Sequence, residues 1–177
     1  MDKRWWHYTT ARALESILAD GYIRRAKSGI PASEWRAVWF SSRADWEPTA
    51  TKGFVENGVR RDATIQEMVR FSGALVRLEV PASAACHGWT AHRHLSHIDP
   101  RIADALEAGA QRNGADPADW RASYHDVPMT AVLRIELSDD GLTWSSVGHQ
   151  DANGRWHVNV DDQRRHGGGI IDLGFTP

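Results

Sequence analysis

The 177-residue chain has one cysteine, Cys86. A lone thiol closes no internal disulfide and fills no thiolate-rich metal site, so the reading is a reducing compartment and a fold held by its core. Long apolar runs are missing too. No stretch approaches the roughly 18 residues of a membrane-spanning helix, so no membrane partner is expected. Charge of one sign is also lacking: the formal net charge is −2. No global basic field draws the chain onto nucleic acid, which leaves room only for a local patch. Lysine is scarce, at positions 3, 27 and 52 among 21 basic residues. The arginines that replace it can stack and fork onto phosphates, although a GC-rich genome produces the same bias. Internal repeats and low-complexity blocks are absent.

The composition that remains is 41% hydrophobic and 25% charged, with nine tryptophans. That describes a globular domain with a single core rather than a disordered chain. The opening Met1-Asp2-Lys3-Arg4-Trp5-Trp6-His7 has no apolar core of signal-peptide length, so the expected location is cytoplasmic.

Pattern predicts the elements. Trp5 to Thr9 reads as a strand, Thr9 or Thr10 as a helix cap, Leu14, Ile17 and Leu18 as the buried helix face, and Gly21 as its stop. Ala37 to Ser41 reads as a strand buried on both faces. A loop is expected through Gly58, and Thr64-Ile65-Gln66-Glu67 matches a capping box. Ala74 to Val80 alternates, with Val76, Leu78 and Val80 inward and Arg77 and Glu79 outward. Residues 82 to 98 read as irregular and rich in histidine. Asp99-Pro100 opens a helix to about Gly109, and Asp116-Pro117 opens a further helical turn ending near Arg121. Leu133, Ile135 and Leu137 alternate with Arg134 and Glu136, which places Glu136 on the solvent face. Asp140-Gly141 and Asn153-Gly154 mark turns, the first leading to a strand at Leu142-Thr143-Trp144 and the second to Trp156, Val158 and Val160. Gly167-Gly168-Gly169 precedes a last apolar stretch from Ile170 to Phe175. Helices between non-adjacent strands make the class α+β. The main domain is expected over 1–149, with an extension over 150–177 packed on it.

Three constellations could carry chemistry. The first is His7-Tyr8-Thr9-Thr10, a helix running to Gly21-Tyr22-Ile23, and then Val38-Trp39-Phe40-Ser41-Ser42. An imidazole can bond a ribose hydroxyl, aromatic faces can stack a flat heterocycle, and a helix N-terminus favours an anion. The plainer reading of His7 is a histidine satisfied at a strand end.

These residues resemble the opening of ADP-ribosyltransferase-fold enzymes. They are most similar to small bacterial toxins that ADP-ribosylate DNA, and more distantly to RNA 2′-phosphotransferases. The resemblance covers about residues 5 to 46, and more loosely Ala74–Val80 and Asp126–Leu137, where Val127-Pro128 looks like the family's late strand entrance. It implies a split β-sheet core with short flanking helices and a C-terminal hairpin. It also implies NAD as co-substrate and transfer of ADP-ribose to a macromolecular acceptor, DNA or RNA being favoured, or its hydrolysis. By the same resemblance His7 would hold the adenosine-side ribose, and Tyr8 and Thr9 would shape the nicotinamide pocket. Ser41 and Ser42 would lie beside the nicotinamide ribose, and Trp46 would stack on the nicotinamide. The family's later-strand Glu or Gln falls here on Trp120, Arg121 and Ala122, so Asp126 takes the acid's place provisionally. A non-catalytic binding module of the same fold is the alternative that this departure motivates.

The second constellation, His92, His94 and His97 with Asp99, could ligate a metal in a hydrolase, though it matches no zinc signature; a substrate-facing or pH-sensitive loop is the plainer reading. The third is basic and aromatic: Arg24-Arg25, Arg60-Arg61 and Arg164-Arg165 with Trp89, Trp120 and Trp156. On one surface these would suit a single-stranded nucleic acid; on separate loops they are solubilising charges.

Overall fold

The structure, a computed structural model, describes residues 3–27 and 29–159. Strand β1 (Trp5–Thr10) passes directly into helix α1 (Ala11–Asp20). The Thr10 hydroxyl accepts the Ala13 amide at 3.4 Å, and Gly21 ends the helix at φ 72°, a left-handed conformation that glycine adopts freely. There follow β2 (Tyr22–Ile23), β3 (Val38–Ser41), the hairpin β4 (Gly53–Glu56) and β5 (Val59–Asp62), α2 (Ile65–Ser72) and β6 (Leu75–Val80). The second half holds β7 (His87–Gly88), α3 (Trp89–Leu95), α4 (Pro100–Arg112), β8 (Trp120–Ser123) and β9 (Val127–Pro128). It closes with β10 (Arg134–Ser138), β11 (Ser145–Ser146), β12 (Gly148–Gln150) and β13 (Trp156–Val158).

Seven strands form one sheet in the order β11-β10-β6-β1-β3-β8-β7, with every neighbour antiparallel. The class is α+β, as the pattern predicts. The sheet is not uniform. β1 pairs with β6 from Trp5↔Val80 to Thr10↔Leu75 but meets β3 only at Trp6↔Ser41. Beyond that rung no further backbone pair joins the two strands, and this break in pairing is a seam within the sheet.

Alternation sends residues to two differently filled faces. On one face Trp5, Val38, Phe40, Val76, Leu78, Val80, Ile135 and Leu137 pack with Leu14 of α1, Ile23 of β2 and Val127 of β9. The other face is filled in two parts. Trp6, Tyr8, Trp46 and Leu75 pack with Met68 of α2, while Trp89, Trp120, Ile98, Ala103 and Ala110 pack under β3 and β8 with Trp39. The described part of the expected extension joins the first core: Trp156 and Val158 pack on it, and the Trp156 indole donates to the Met129 carbonyl at 2.9 Å.

Several local expectations change. Arg77 and Glu136 do not face solvent. They form a buried pair, with Nε to Oε2 at 2.6 Å, and the guanidinium lies 4.0 Å from the Trp6 ring and 4.4 Å from Trp144. Alternation identified a two-faced strand, but the second face is covered by α2 and by the chain around Trp144. The supposed irregular segment contains β7 and α3, because Trp89 and His92 turn into the core at helical spacing. The turn at Asp116-Pro117 is a short 3₁₀ helix, Pro117–Asp119, after which β8 begins. The expected loop before Gly58 holds the β4–β5 hairpin, turned by Asn57 (φ 51°) and Gly58 (φ 79°). The turn after Asp140 delays its strand to Ser145–Ser146, and α4 runs on to Arg112. Val160, Asp161-Asp162, Arg164-Arg165, Gly167-Gly168-Gly169 and the stretch from Ile170 to Phe175 lie outside the described residues.

Glu136→Ala would strand the Arg77 guanidinium without a counter-charge, and breaking a buried pair in this way costs about 3–5 kcal/mol. Urea unfolding of this variant should show a loss of that order; a loss below about 1 kcal/mol would mean the pair is solvated.

Candidate functional site

His7 sits at the seam. Its Nδ1 lies 2.9 Å from the Trp39 carbonyl, across the place where β1 and β3 have parted. A carbonyl only accepts, so Nδ1 carries the proton and donates it, and Nε2 keeps the lone pair. Burial holds the imidazole below its ordinary pKa, against the Trp39 bond that raises it, so the ring is neutral near pH 7. Nε2 has no hydrogen-bond partner among the described residues. The result is an oriented acceptor, suited to a hydroxyl group such as that of a ribose.

The other residues expected with His7 divide between the faces. His7 shares a face with Phe40, their rings edge-on at 6.1 Å. Ser41 pairs with Trp6 and therefore points to the opposite face. Its hydroxyl is buried and donates to Glu47 Oε2 at 2.7 Å. Ser42 donates to Asp119 Oδ1 at 2.5 Å. The Tyr8 hydroxyl shares its proton between the carbonyls of Arg43 (2.6 Å) and Asp45 (2.5 Å), and burial raises its pKa. Trp46 packs edge-on to Tyr8 at 5.3 Å and is 5% exposed, so it is a core ring that only borders a cleft. Thr9 stands on the His7 face at the end of β1, half-buried.

Asp126 is committed elsewhere. Its Oδ1 accepts the backbone amide and the Nε of Arg25, both at 3.0 Å, and its Oδ2 accepts Arg24 Nη1 at 3.1 Å. The backbone bond first, and then the two guanidiniums, hold its pKa down to about 2. It braces the chain after β2 against the chain before β9.

Glu47 was not singled out in sequence because a Glu before Pro48 reads as a turn residue. It is 5% exposed and accepts from Ser41, from the Thr49 amide at 3.3 Å and from the Thr49 hydroxyl at 2.7 Å. No salt bridge reaches it among the described residues.

Beside the seam the three histidines of the second constellation separate. His92 is fully buried, His94 is exposed, and His97 is exposed at φ 59°. Among the described residues no three His, Cys, Asp or Glu side chains converge on a metal position. His92 instead anchors an aromatic cluster: Trp39 at 4.5 Å, Trp89 at 5.6 Å and Tyr124 at 5.8 Å. The Tyr124 hydroxyl bonds its Nδ1 at 3.1 Å, while its Nε2 is buried without a partner. Of the basic and aromatic residues grouped from sequence, Trp89 and Trp120 share a core and Trp156 belongs to another.

Two open clefts flank this region. One, about 380 Å³, is lined by Arg43, Trp46, Thr51, Thr64, Asn113 and Leu142 among others. The second, about 600 Å³, is lined by Gly88, Trp89, Thr90, His94, Pro117 and Arg121 among others. Among the described residues no helix is long and apolar enough to cross a membrane. In comparisons with known proteins no family model, no curated protein and no solved structure matches the chain.

Burial pulls the His92 pKa from 6.5 down to about 4, with the neighbouring His87 adding to the effect. The unfolded chain therefore takes up the proton first as pH falls. Stability present above pH 6.5 should decline toward pH 4 and level off below it, with His7 acting in the same direction. Urea unfolding at pH 7 and about pH 5 should show a loss on the order of 1–2 kcal/mol, reduced in His92→Phe. Equal losses in both chains would show that His92 is charged in the folded state.

Proposed function

We propose that the chain binds NAD at the seam between β1 and β3 and acts as an ADP-ribosyltransferase or NAD glycohydrolase. The observation that carries this reading is the His7–Trp39 bond. It fixes a neutral imidazole, with its accepting nitrogen unpartnered, at the point where the central sheet divides. A divided sheet beginning with such a histidine is what the resemblance to the ADP-ribosyltransferase fold implies. A ribose hydroxyl would donate to Nε2, and the half-buried Thr9 would border the same face.

The chemistry is cleavage of the nicotinamide–ribose bond. The bonding pair leaves with the nicotinamide nitrogen, positive charge develops at the ribose carbon, and an acceptor lone pair closes the new bond as the acceptor loses its proton. A carboxylate near that carbon stabilises the developing charge. Asp126 already offsets two guanidiniums, while Glu47 has no salt-bridge partner among the described residues but lies with Ser41 on the face opposite His7; in this reading Glu47 takes the part first given to Asp126 only once residues 42–47 shift toward the seam. The acceptor we favour is a nucleic acid, DNA or RNA, as the closest resemblance implies.

A non-catalytic nucleotide-binding module is the second reading, and one observation favours it. Ser41 is 1% exposed and Glu47 5% exposed, so neither reaches a ligand unless residues 42–47 shift.

Calorimetric titration with NAD, paired with an assay of released nicotinamide, tests both. The enzyme reading expects binding, tenfold or so weaker in His7→Ala, and nicotinamide release that drops about 100-fold in Glu47→Gln but persists in Asp126→Asn. Binding without release, in water and with single-stranded DNA or RNA added, selects the module. No heat at millimolar NAD removes both readings.

A further inference from the structure

Among the described residues, Arg121 is the half-buried arginine without a hydrogen-bond acceptor. Among the described residues, Arg61, Arg77, Arg93 and Arg134 all reach carboxylates. Arg43, likewise half-buried, donates to the Gly114 carbonyl at 2.9 Å. Arg121 has no carboxylate and no hydrogen-bond partner among the described residues. None of its guanidinium nitrogens is among the buried unpartnered atoms, so its donors are open to solvent and to an anion that approaches from it.

Arg121 nevertheless has two defined neighbours. Its guanidinium carbon stands 4.8 Å from the centre of the Trp5 ring, which supports it from one side by a cation–π contact. Gly88 opposes it in register across β7 and β8, and a Cβ at Gly88 would meet Arg121 Nη1. Gly88 has an ordinary φ of −70°, so the backbone there does not demand glycine; its lack of a side chain leaves room for the end of the Arg121 side chain. Trp5 and Gly88 thus border a planar, permanently charged fork. Arg121 lines the 600 Å³ cleft, together with Thr90 and the exposed His94. No carboxylate is among the residues that line it.

We infer that this cleft is a phosphoryl-anion site, with Arg121 as the residue that reads the anion, Gly88 and Trp5 as its positioning residues, and Thr90 and His94 as neighbouring donors. Arginine suits this task because two parallel N–H groups match two phosphoryl oxygens. The inference stands on its own geometry and does not require NAD to bind at the seam. Phe40 lies between the two places: it pairs with Arg121 across β3 and β8 and meets the His7 ring edge-on. The anion could therefore be the diphosphate of a dinucleotide at the seam or a phosphate of a separate molecule. The shared chemistry is the phosphoryl group.

The test is calorimetric titration of the full chain with inorganic pyrophosphate and with inorganic phosphate at low salt. Saturable pyrophosphate binding is expected, weakening as salt rises. Arg121→Gln should weaken it tenfold or more, and Arg121→Lys should weaken it by several-fold, since the charge remains but the fork is lost. Gly88→Ala should weaken it comparably, because the added Cβ displaces the guanidinium. A thermal melt checks that this variant folds, and if it does not, the two Arg121 variants decide. Absence of binding at millimolar pyrophosphate, or unchanged affinity in Arg121→Gln, would overturn the site. With the site established, NAD that displaces pyrophosphate assigns the anion to the dinucleotide, and NAD that binds without displacing it assigns it to a separate phosphorylated molecule. Failure of NAD to bind anywhere counts against the seam reading alone.

Discussion

Where β1 leaves β3, an imidazole takes the part of a backbone amide. A central strand that stops pairing with its neighbour exposes carbonyls that need a donor, since buried polar groups are rarely left unpaired. His7 answers the Trp39 carbonyl through Nδ1. This single bond lets the sheet open without an orphaned acceptor, and it also sets the tautomer and leaves the far nitrogen as an acceptor. An alanine at position 7 would leave that carbonyl unanswered.

Across the sheet from His7, a different polar system fixes the chain between β3 and the Trp46 region. Arg77 donates to the Ala44 carbonyl while caged between Trp6 and Trp144 and paired with Glu136. Tyr8 takes the carbonyls on either side, and Glu47 takes the Ser41 hydroxyl. Three consecutive carbonyls, of Arg43, Ala44 and Asp45, are thus held by side chains from β1 and β6. A segment held this way is positioned rather than loose. Its ordered state explains why Tyr8, Ser41 and Trp46 are occupied with one another instead of facing the His7 side.

Much of the fold was legible because its signals are local. The Thr10 cap, the Gly21 stop and the Thr64–Glu67 capping box depend on neighbours a few residues apart, and all are present, as are strands β6 and β10, though both of their faces are buried. The burial of Arg77 and Glu136 was not legible. Alternation tells which residues share a face but not whether a helix will cover that face. The histidine-rich stretch misled for a related reason: its polarity suggested a loop, whereas His92 is buried because Tyr124, distant in sequence, supplies its hydrogen bond and three aromatic rings surround it. Asp126 looked like a strand-entrance acid, and the two arginines it braces lie a hundred positions earlier.

The amino-acid sequence by itself determined the α+β class, the caps and turns, and the histidine at the head of the first strand, since each follows from residue preferences over short distances. Tertiary structure alone decided which side chains share a face at the seam, which carboxylates already have cations, and which half-buried arginine has no acceptor among the described residues. Those outcomes depend on register and on crossings between distant strands: one rung, Trp6 against Ser41, separates His7 from Ser41 by the thickness of the sheet.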